Sequence, residues 1–136
     1  MNMTATPDAP KQFRFAYFTP HYTETRAFYL HDLGFPLLDS WDRSADDKGT
    51  VFGAASGRIE VLFDPIDADA SDHYFDERRP QGAFMVIEVD DVDAFHDSVA
   101  GKGVEIERAL QDQSWGHRSF VVTEPNGLRL YFYSEL

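Results

Sequence analysis

Cysteine is absent from this sequence. That excludes a disulfide framework and thiolate chemistry, and makes a reducing cytoplasm the expected compartment. Basic residues are scarce: 12 Lys and Arg stand against 24 Asp and Glu, for a formal net charge of −12. Such a field repels a phosphate backbone, so nucleic acid is not expected as a partner. No apolar run nears the ~18 residues of a membrane helix, so no membrane partner is expected either. Met1 to Pro10 has neither a basic start nor an apolar stretch, and is not expected to be a secretory signal.

Aromatic residues, by contrast, are plentiful: 12 Phe, 6 Tyr and 2 Trp among 136 residues. Disordered chains are poor in them, and this length suits one domain or two small halves around a shared core. An acidic surface attracts a cationic ligand, although the same charge also keeps a protein in solution.

Two segments read alike, about 12–64 and about 82–134. Each opens with an apolar strand, Phe13 to Phe18 and Ala83 to Val89. A short helix is expected after each. Thr23 is the expected cap of the first, which ends at Gly34. Asp90 or Asp91 caps the second, whose Val92, Phe95 and Val99 recur at helical spacing before Gly101. Phe28 precedes Gly34 by six residues and Phe95 precedes Gly101 by six, as an internal repeat would have it. Three strand-like runs follow each helix: Phe35 to Trp41, Thr50 to Ala54 and Arg58 to Phe63, then Val104 to Ala109, Arg118 to Thr123 and Leu128 to Tyr133. Asp46-Asp47-Lys48-Gly49, Ser56-Gly57 and Glu124-Pro125-Asn126-Gly127 are the turn signals between them. The expected fold is therefore α+β, two βαβββ modules within a domain spanning 12–136. A disordered tail (1–11) precedes them and a linker (65–81) joins them.

Strand residues alternate between two faces. Phe13, Phe15, Tyr17, Ile59, Val61, Phe63, Met85, Ile87, Val89, Leu128, Leu130 and Phe132 form a uniformly apolar face that should lie under the helices. The opposite face, which includes Arg14, Arg58, Glu60, Phe84, Val86, Arg129, Tyr131 and Tyr133, mixes charge with aromatics. Such a lining suits a cavity whose apolar walls hold a ligand and whose few polar groups orient it. It also suits an amphipathic sheet partly covered by a partner subunit.

Phe28-Tyr29 followed by Leu33-Gly34-Phe35 resembles the helix end of the glyoxalase/bleomycin-resistance/dioxygenase family, the vicinal oxygen chelate superfamily. So does Gly57-Arg58-Ile59-Glu60-Val61. The strongest match is Trp115-Gly116-His117-Arg118-Ser119-Phe120 followed by Glu124-Pro125-Asn126-Gly127. The resemblance runs over about 12–134. It implies paired modules forming a curved mixed sheet around a cavity, and a homodimer. Its metal-dependent members take ligands from the first and last strands of each module, which carry over here to Arg14, Glu60, Phe84 and Tyr131. Only Glu60 is an ordinary ligand: Arg14 is a permanent cation and Phe84 has no lone pair. Tyr131 ligates only as a phenolate. No metal ligand set and no cofactor are therefore expected. Of the five histidines, His21, His31, His73, His96 and His117, none completes the set, and all read as surface or capping residues, His117 lying nearest the cavity mouth.

A Gly-rich phosphate loop and a nucleophile elbow are both missing. Arg14 and Glu60 are expected to pair across the cavity floor, where the guanidinium opposes any rise in the Glu60 pKa. The reading that follows is a metal-free small-molecule binder resembling the drug-sequestering branch, holding an aromatic or charged compound such as an antibiotic. Its expected contacts are Arg14, Trp41, Arg58, Glu60, Phe84, Trp115, Arg129 and Tyr131. The acidic exterior favours a cation, whereas Arg14, Arg58 and Arg129 favour a carboxylate or enol. The alternative is a divergent lyase, isomerase or dioxygenase using Glu60, the one catalytic candidate, with a metal or as acid/base. A third reading is an accessory domain whose cavity is vestigial.

Overall fold

A computed structural model describes residues 12–63 and 83–136. The expected tail (1–11), the linker (65–81) and His73 lie outside the described residues. The first module runs β1 (Arg14–Thr19), α1 (Tyr22–Ala27) with a π-helical turn Phe28–Asp32, β2 (Leu37–Ser44), β3 (Asp47–Ala54) and β4 (Gly57–Phe63). The second runs β5 (Phe84–Glu88), α2 (Val92–Gly101), β6 (Ile106–Asp112), β7 (His117–Thr123) and β8 (Arg129–Glu135). Each module builds a four-stranded sheet, β1-β4-β3-β2 and β5-β8-β7-β6. In both, the first strand pairs in parallel with the last. The α+β class and the βαβββ repeat are as the sequence reads.

Equivalence of the modules extends to register. Arg14 pairs with Arg58 and Ala16 with Glu60 in the first module; Phe84 pairs with Arg129 and Val86 with Tyr131 in the second. Arg14 and Phe84 are thus counterparts, as are Glu60 and Tyr131.

Several local expectations are corrected. His21, not Thr23, occupies the N-cap of α1, and it offers no side-chain cap. Thr19 Oγ1 accepts from the His21 N–H at 2.9 Å instead, and Thr25 Oγ1 donates to the His21 carbonyl at 2.7 Å. Asp91 does cap α2, accepting from the Ala94 N–H at 3.1 Å. The Phe-to-Gly spacing is a weaker repeat than it reads: Gly34 is left-handed (φ 72°), but in the second module that conformation falls on Gly103 (φ 82°), with Gly101 still helical. The first helix ends early because its last turn widens, Leu33 N–H reaching the Phe28 carbonyl at 2.9 Å. That wide turn buries Phe28, Tyr29 and Leu33 together. Asp47-Lys48-Gly49 belongs to β3 rather than to a turn, since the β2–β3 ladder continues to Ser44 and Asp47. Phe13 is 60% exposed, outside β1 and outside the core.

Most of the remaining apolar face packs as its alternation requires, Phe15 and Leu128 being half-buried outside the cluster. Ile59, Val61, Ile87, Leu130 and Phe132 join Tyr29, Phe52, Val99 and Phe120 in one cluster spanning both modules. Full burial of each such side chain stabilises by about 1.5–3 kcal/mol. Phe35 meets Phe132 edge-on across the module boundary, centroids 6.4 Å apart.

A polar latch reinforces that boundary. Glu124, only 2% exposed, accepts from the Asn126 and Leu128 N–H groups at 2.7 and 2.9 Å through Oε1. Its Oε2 accepts from Asn126 Nδ2 at 2.8 Å and from the Tyr17 hydroxyl of β1 at 2.7 Å. Asn126 Nδ2 also donates to Thr25 Oγ1 of α1 at 3.0 Å, and its Oδ1 accepts from Thr19 Oγ1. Removing the carboxylate leaves four donors without their acceptor. Glu124→Ala should therefore lower unfolding free energy by about 3 kcal/mol or more, and Tyr17→Phe by about 1.5 kcal/mol, in urea titrations. Retention of wild-type stability by Glu124→Ala contradicts the latch.

Burial holds the phenols of Tyr17 and Tyr29 far above their ordinary range, with the Glu124 charge adding to the effect on both. A folded-state pKa above the unfolded value of about 10 means stability that is complete below that pH and lost as pH rises beyond it. Phenolate absorbance should show Tyr17 and Tyr29 ionising only as the chain unfolds in alkali. Free titration of both phenols in the folded protein overturns this.

Candidate functional site

The mixed face differs sharply between the two sheets. In the first module, β4 and β1 bring Arg14 Nη1 to 2.7 Å from Glu60 Oε1, and Gln12 Oε1 accepts from Arg14 Nη2 at 2.9 Å. The Glu60 side chain is 16% exposed and the Arg14 side chain 41%, so solvent screens the pair and its net stabilisation is small, ~1 kcal/mol or less. Val51, in register with Glu60, is buried yet outside the core cluster, which fixes this as the opposite face of the sheet. Trp41 lies flat over Gly49: a Cβ there would meet Trp41 Cζ2 at 2.1 Å. The indole donates to Asp47 Oδ1 at 3.2 Å, and Arg43 sits 5.5 Å from the ring centroid.

In the second module the same face is aromatic. Tyr131 takes the place equivalent to Glu60. Its hydroxyl accepts from Trp115 Nε1 at 3.0 Å and lies 3.0 Å from His117 Nδ1. His117 stacks on Tyr133, centroids 3.9 Å apart, and its Nε2 is 3.7 Å from Glu135 Oε1. Burial, then the charges of Glu88 and Glu135, push the Tyr133 phenol above its ordinary range. Phe84, Val86 and Trp115 remain 57%, 54% and 61% exposed, an apolar surface beside the cluster. Arg129 is drawn to the sheet margin, donating to Glu107 Oε1 at 2.8 Å, while Thr123 donates to Glu107 Oε2.

The sequence candidates therefore form separate groups. Arg14 joins Glu60, and Trp115 joins Tyr131. Trp41 and Arg129 each bind an acidic neighbour of their own. Arg58 lines a pocket of about 420 Å³ at the module junction, together with Ile87 and Glu88 of β5 and the following Val89. His117, expected at the surface or as a cap, is instead half-buried at the centre of the aromatic cluster. Tyr133 was placed on the right face but not among the contacts. What makes the pair central is register, His117 to Glu135 and Ser119 to Tyr133 across β7 and β8. No motif encodes that register. Arg118 of the same turn faces away, gripping Asp93 of α2 at 3.0 Å and Asp112 of β6 at 3.1 Å.

The sequence pattern of the Glyoxalase/Bleomycin resistance protein/Dioxygenase superfamily matches residues 11–132. The chain belongs to that superfamily. No curated protein matches it in sequence. Among solved structures, TioX from Micromonospora sp. ML1 is similar with a TM-score of 0.72 at 18% identity, covering 93% of this chain and 100% of that one. TnmS3, an antibiotic binding protein from Streptomyces sp. CB03234, is similar at 0.67 and 17%, covering 95% and 98%. A lactoylglutathione lyase from Agrobacterium tumefaciens is similar at 0.64 and 16%, covering 95% of each chain. At such identities the likeness establishes the fold, which is shared by a binder and an enzyme.

The residues at the places where the superfamily's metal-dependent members hold their ion do not fit a divalent cation. Arg14 brings a permanent positive charge to 2.7 Å from the Glu60 oxygen. Phe84 carries no donor atom, and the Tyr131 hydroxyl is already engaged by Trp115 and His117. Among the described residues, no three His, Asp or Glu side chains converge.

Gly49 offers a direct check on the first module's face. Gly49→Ala should lift the Trp41 ring, and in a Trp115→Phe background the Trp41 emission should shift to the red. An unmoved spectrum contradicts the stacking.

Proposed function

We propose that the protein is a metal-free binder of small molecules, using the mixed face of its sheets. The observation that carries this reading is the Arg14–Glu60 ion pair at the family's metal position. A guanidinium there disfavours a divalent ion and leaves a neutralised polar floor. The ligand surface comprises Phe84, Trp115 and Tyr131, with Arg14 and Glu60 orienting the polar end of the ligand. Trp41 and Arg129 contribute around it. Exposed indole and phenyl groups stack on planar molecules and on cations, which supports an aromatic ligand, an antibiotic being one class. The likeness to an antibiotic binding protein agrees with this reading. We also propose a homodimer, because an exposed apolar surface around Phe84, Val86 and Trp115 is costly for a monomer. Among the described residues no helix is long and apolar enough to cross a membrane.

Two measurements test the reading. Purified protein should carry no stoichiometric metal, and Zn, Ni, Mn, Fe(II) and Co should leave its melting temperature unchanged in wild type and in Glu60→Gln alike. Planar aromatic dyes of either charge should quench Trp115 fluorescence, and at ~100 times Kd a bound dye should add about 2.7 kcal/mol of stability. Trp115→Ala should weaken that binding about tenfold, or about 1.4 kcal/mol. Stoichiometric metal, or stabilisation by one ion that Glu60→Gln abolishes, would replace the binder by a metal-using lyase, isomerase or dioxygenase. Sedimentation velocity checks the dimer, and a monomer at micromolar concentration refutes it.

A further inference from the structure

The pocket of about 420 Å³ at the module junction is not the aromatic face. Its apolar wall combines Phe35, Pro36 and Leu38 of the first module with Ile87 and Val89 of the second. Two residues of opposite charge line it, the half-buried Arg58 from β4 and the exposed Glu88 from β5. They do not form an ion pair with each other, and Arg58 has no ion-pair partner among the described residues. Arg14 is held by Glu60, Arg43 by Asp47, Arg118 by Asp93 and Asp112, and Arg129 by Glu107, whereas Arg26 and Arg108, like Arg58, have no carboxylate partner among the described residues. Arg58 is half-buried, and unlike Arg26, which donates to Thr50 Oγ1 at 3.3 Å, it also lines a cavity. Ala55, in the hairpin that floors the pocket, adopts φ 53°, a left-handed conformation that costs a non-glycine residue free energy of ~1 kcal/mol.

Opposite charges that share one cavity without closing on each other complement a molecule that carries both charges itself. The volume lies within the range of about 300–1,000 Å³ for small-molecule pockets. We infer that this pocket binds a small amphipathic zwitterion, its carboxylate on Arg58, its amine on Glu88 and its apolar body against Phe35, Leu38 and Ile87. Arg58 supplies two parallel N–H donors to a carboxylate, which a lysine cannot. The acidic exterior does not select this ligand. The pocket does, by offering one charge of each sign.

The experiment uses the full chain and isothermal titration calorimetry with L-phenylalanine and 6-aminohexanoate, which hold the two charges at short and long separation. Their singly charged analogues, 3-phenylpropionate, phenethylamine, hexanoate and hexylamine, serve as controls. At least one zwitterion should bind at least tenfold tighter than both of its analogues. Arg58→Gln should erase the preference over the amine, and Glu88→Gln the preference over the carboxylate. Leu38→Trp should block binding by filling the wall, with melting temperature and circular dichroism reporting that each variant is folded. Trp115→Ala should leave zwitterion binding intact while weakening dye binding, so either reading can fail without the other. The inference is overturned if neither zwitterion binds, if analogues bind equally well, or if binding survives both charge substitutions or is lost with Trp115→Ala.

Discussion

A carboxylate without water is the constraint on which the arrangement of this chain rests. Glu124 lies between the modules with four donors converging on its two oxygens, and no cation is among them. An isolated buried charge is prohibitively expensive, so the structure has to keep all four donors in place. Two come from the backbone of the turn between β7 and β8, which sets the geometry of that hairpin. One comes from Tyr17, which ties the hairpin to β1 of the other module. Through Asn126 the same turn reaches Thr25 of α1. The register of β8 against β7, and with it the meeting of His117 with Tyr131 and Tyr133, depends on this turn.

From that shared framework the two mixed faces diverge. Arg14 and Phe84 are structural counterparts, as are Glu60 and Tyr131, yet one module presents an ion pair and the other an aromatic cluster. Because strand alternation sets only which side a residue faces, the two modules keep equivalent cores while their outer faces take on different chemistry. A molecule held across both faces would meet a charged end and an aromatic end. Part of the acid surplus lies off this face, where Asp93 and Asp112 hold Arg118. Net charge therefore describes the long-range field of the protein better than it describes the lining.

The sequence was legible where a residue's role depends on its neighbours along the chain. The alternation of Ile59 and Val61, and of Leu130 and Phe132, reports a buried face because a strand has period two. Asp91 reports a helix start because its side chain reaches an N–H three residues on. Legibility failed where the outcome depends on a competing contact. Thr23 is as good a cap residue as Asp91, but Thr19 takes over the helix entry from the preceding strand. Gly101 has the right spacing to end α2, yet it is still helical, Lys102 forms the C-cap and the left-handed position falls to Gly103.

Sequence by itself determined the α+β class, the doubled βαβββ order and the family. These follow from residue chemistry and from periodicities that the backbone imposes locally. Tertiary structure alone decided that His117 is a half-buried partner of Tyr131, that Arg129 and Trp41 are held by acidic neighbours, and that Arg58 and Glu88 line one cavity. Each of these joins elements whose relative placement is set by cross-strand register or by the packing of one module on the other. A linear sequence carries the side chains for such contacts but not the distances, and distance is what turns a charge or a ring into a site.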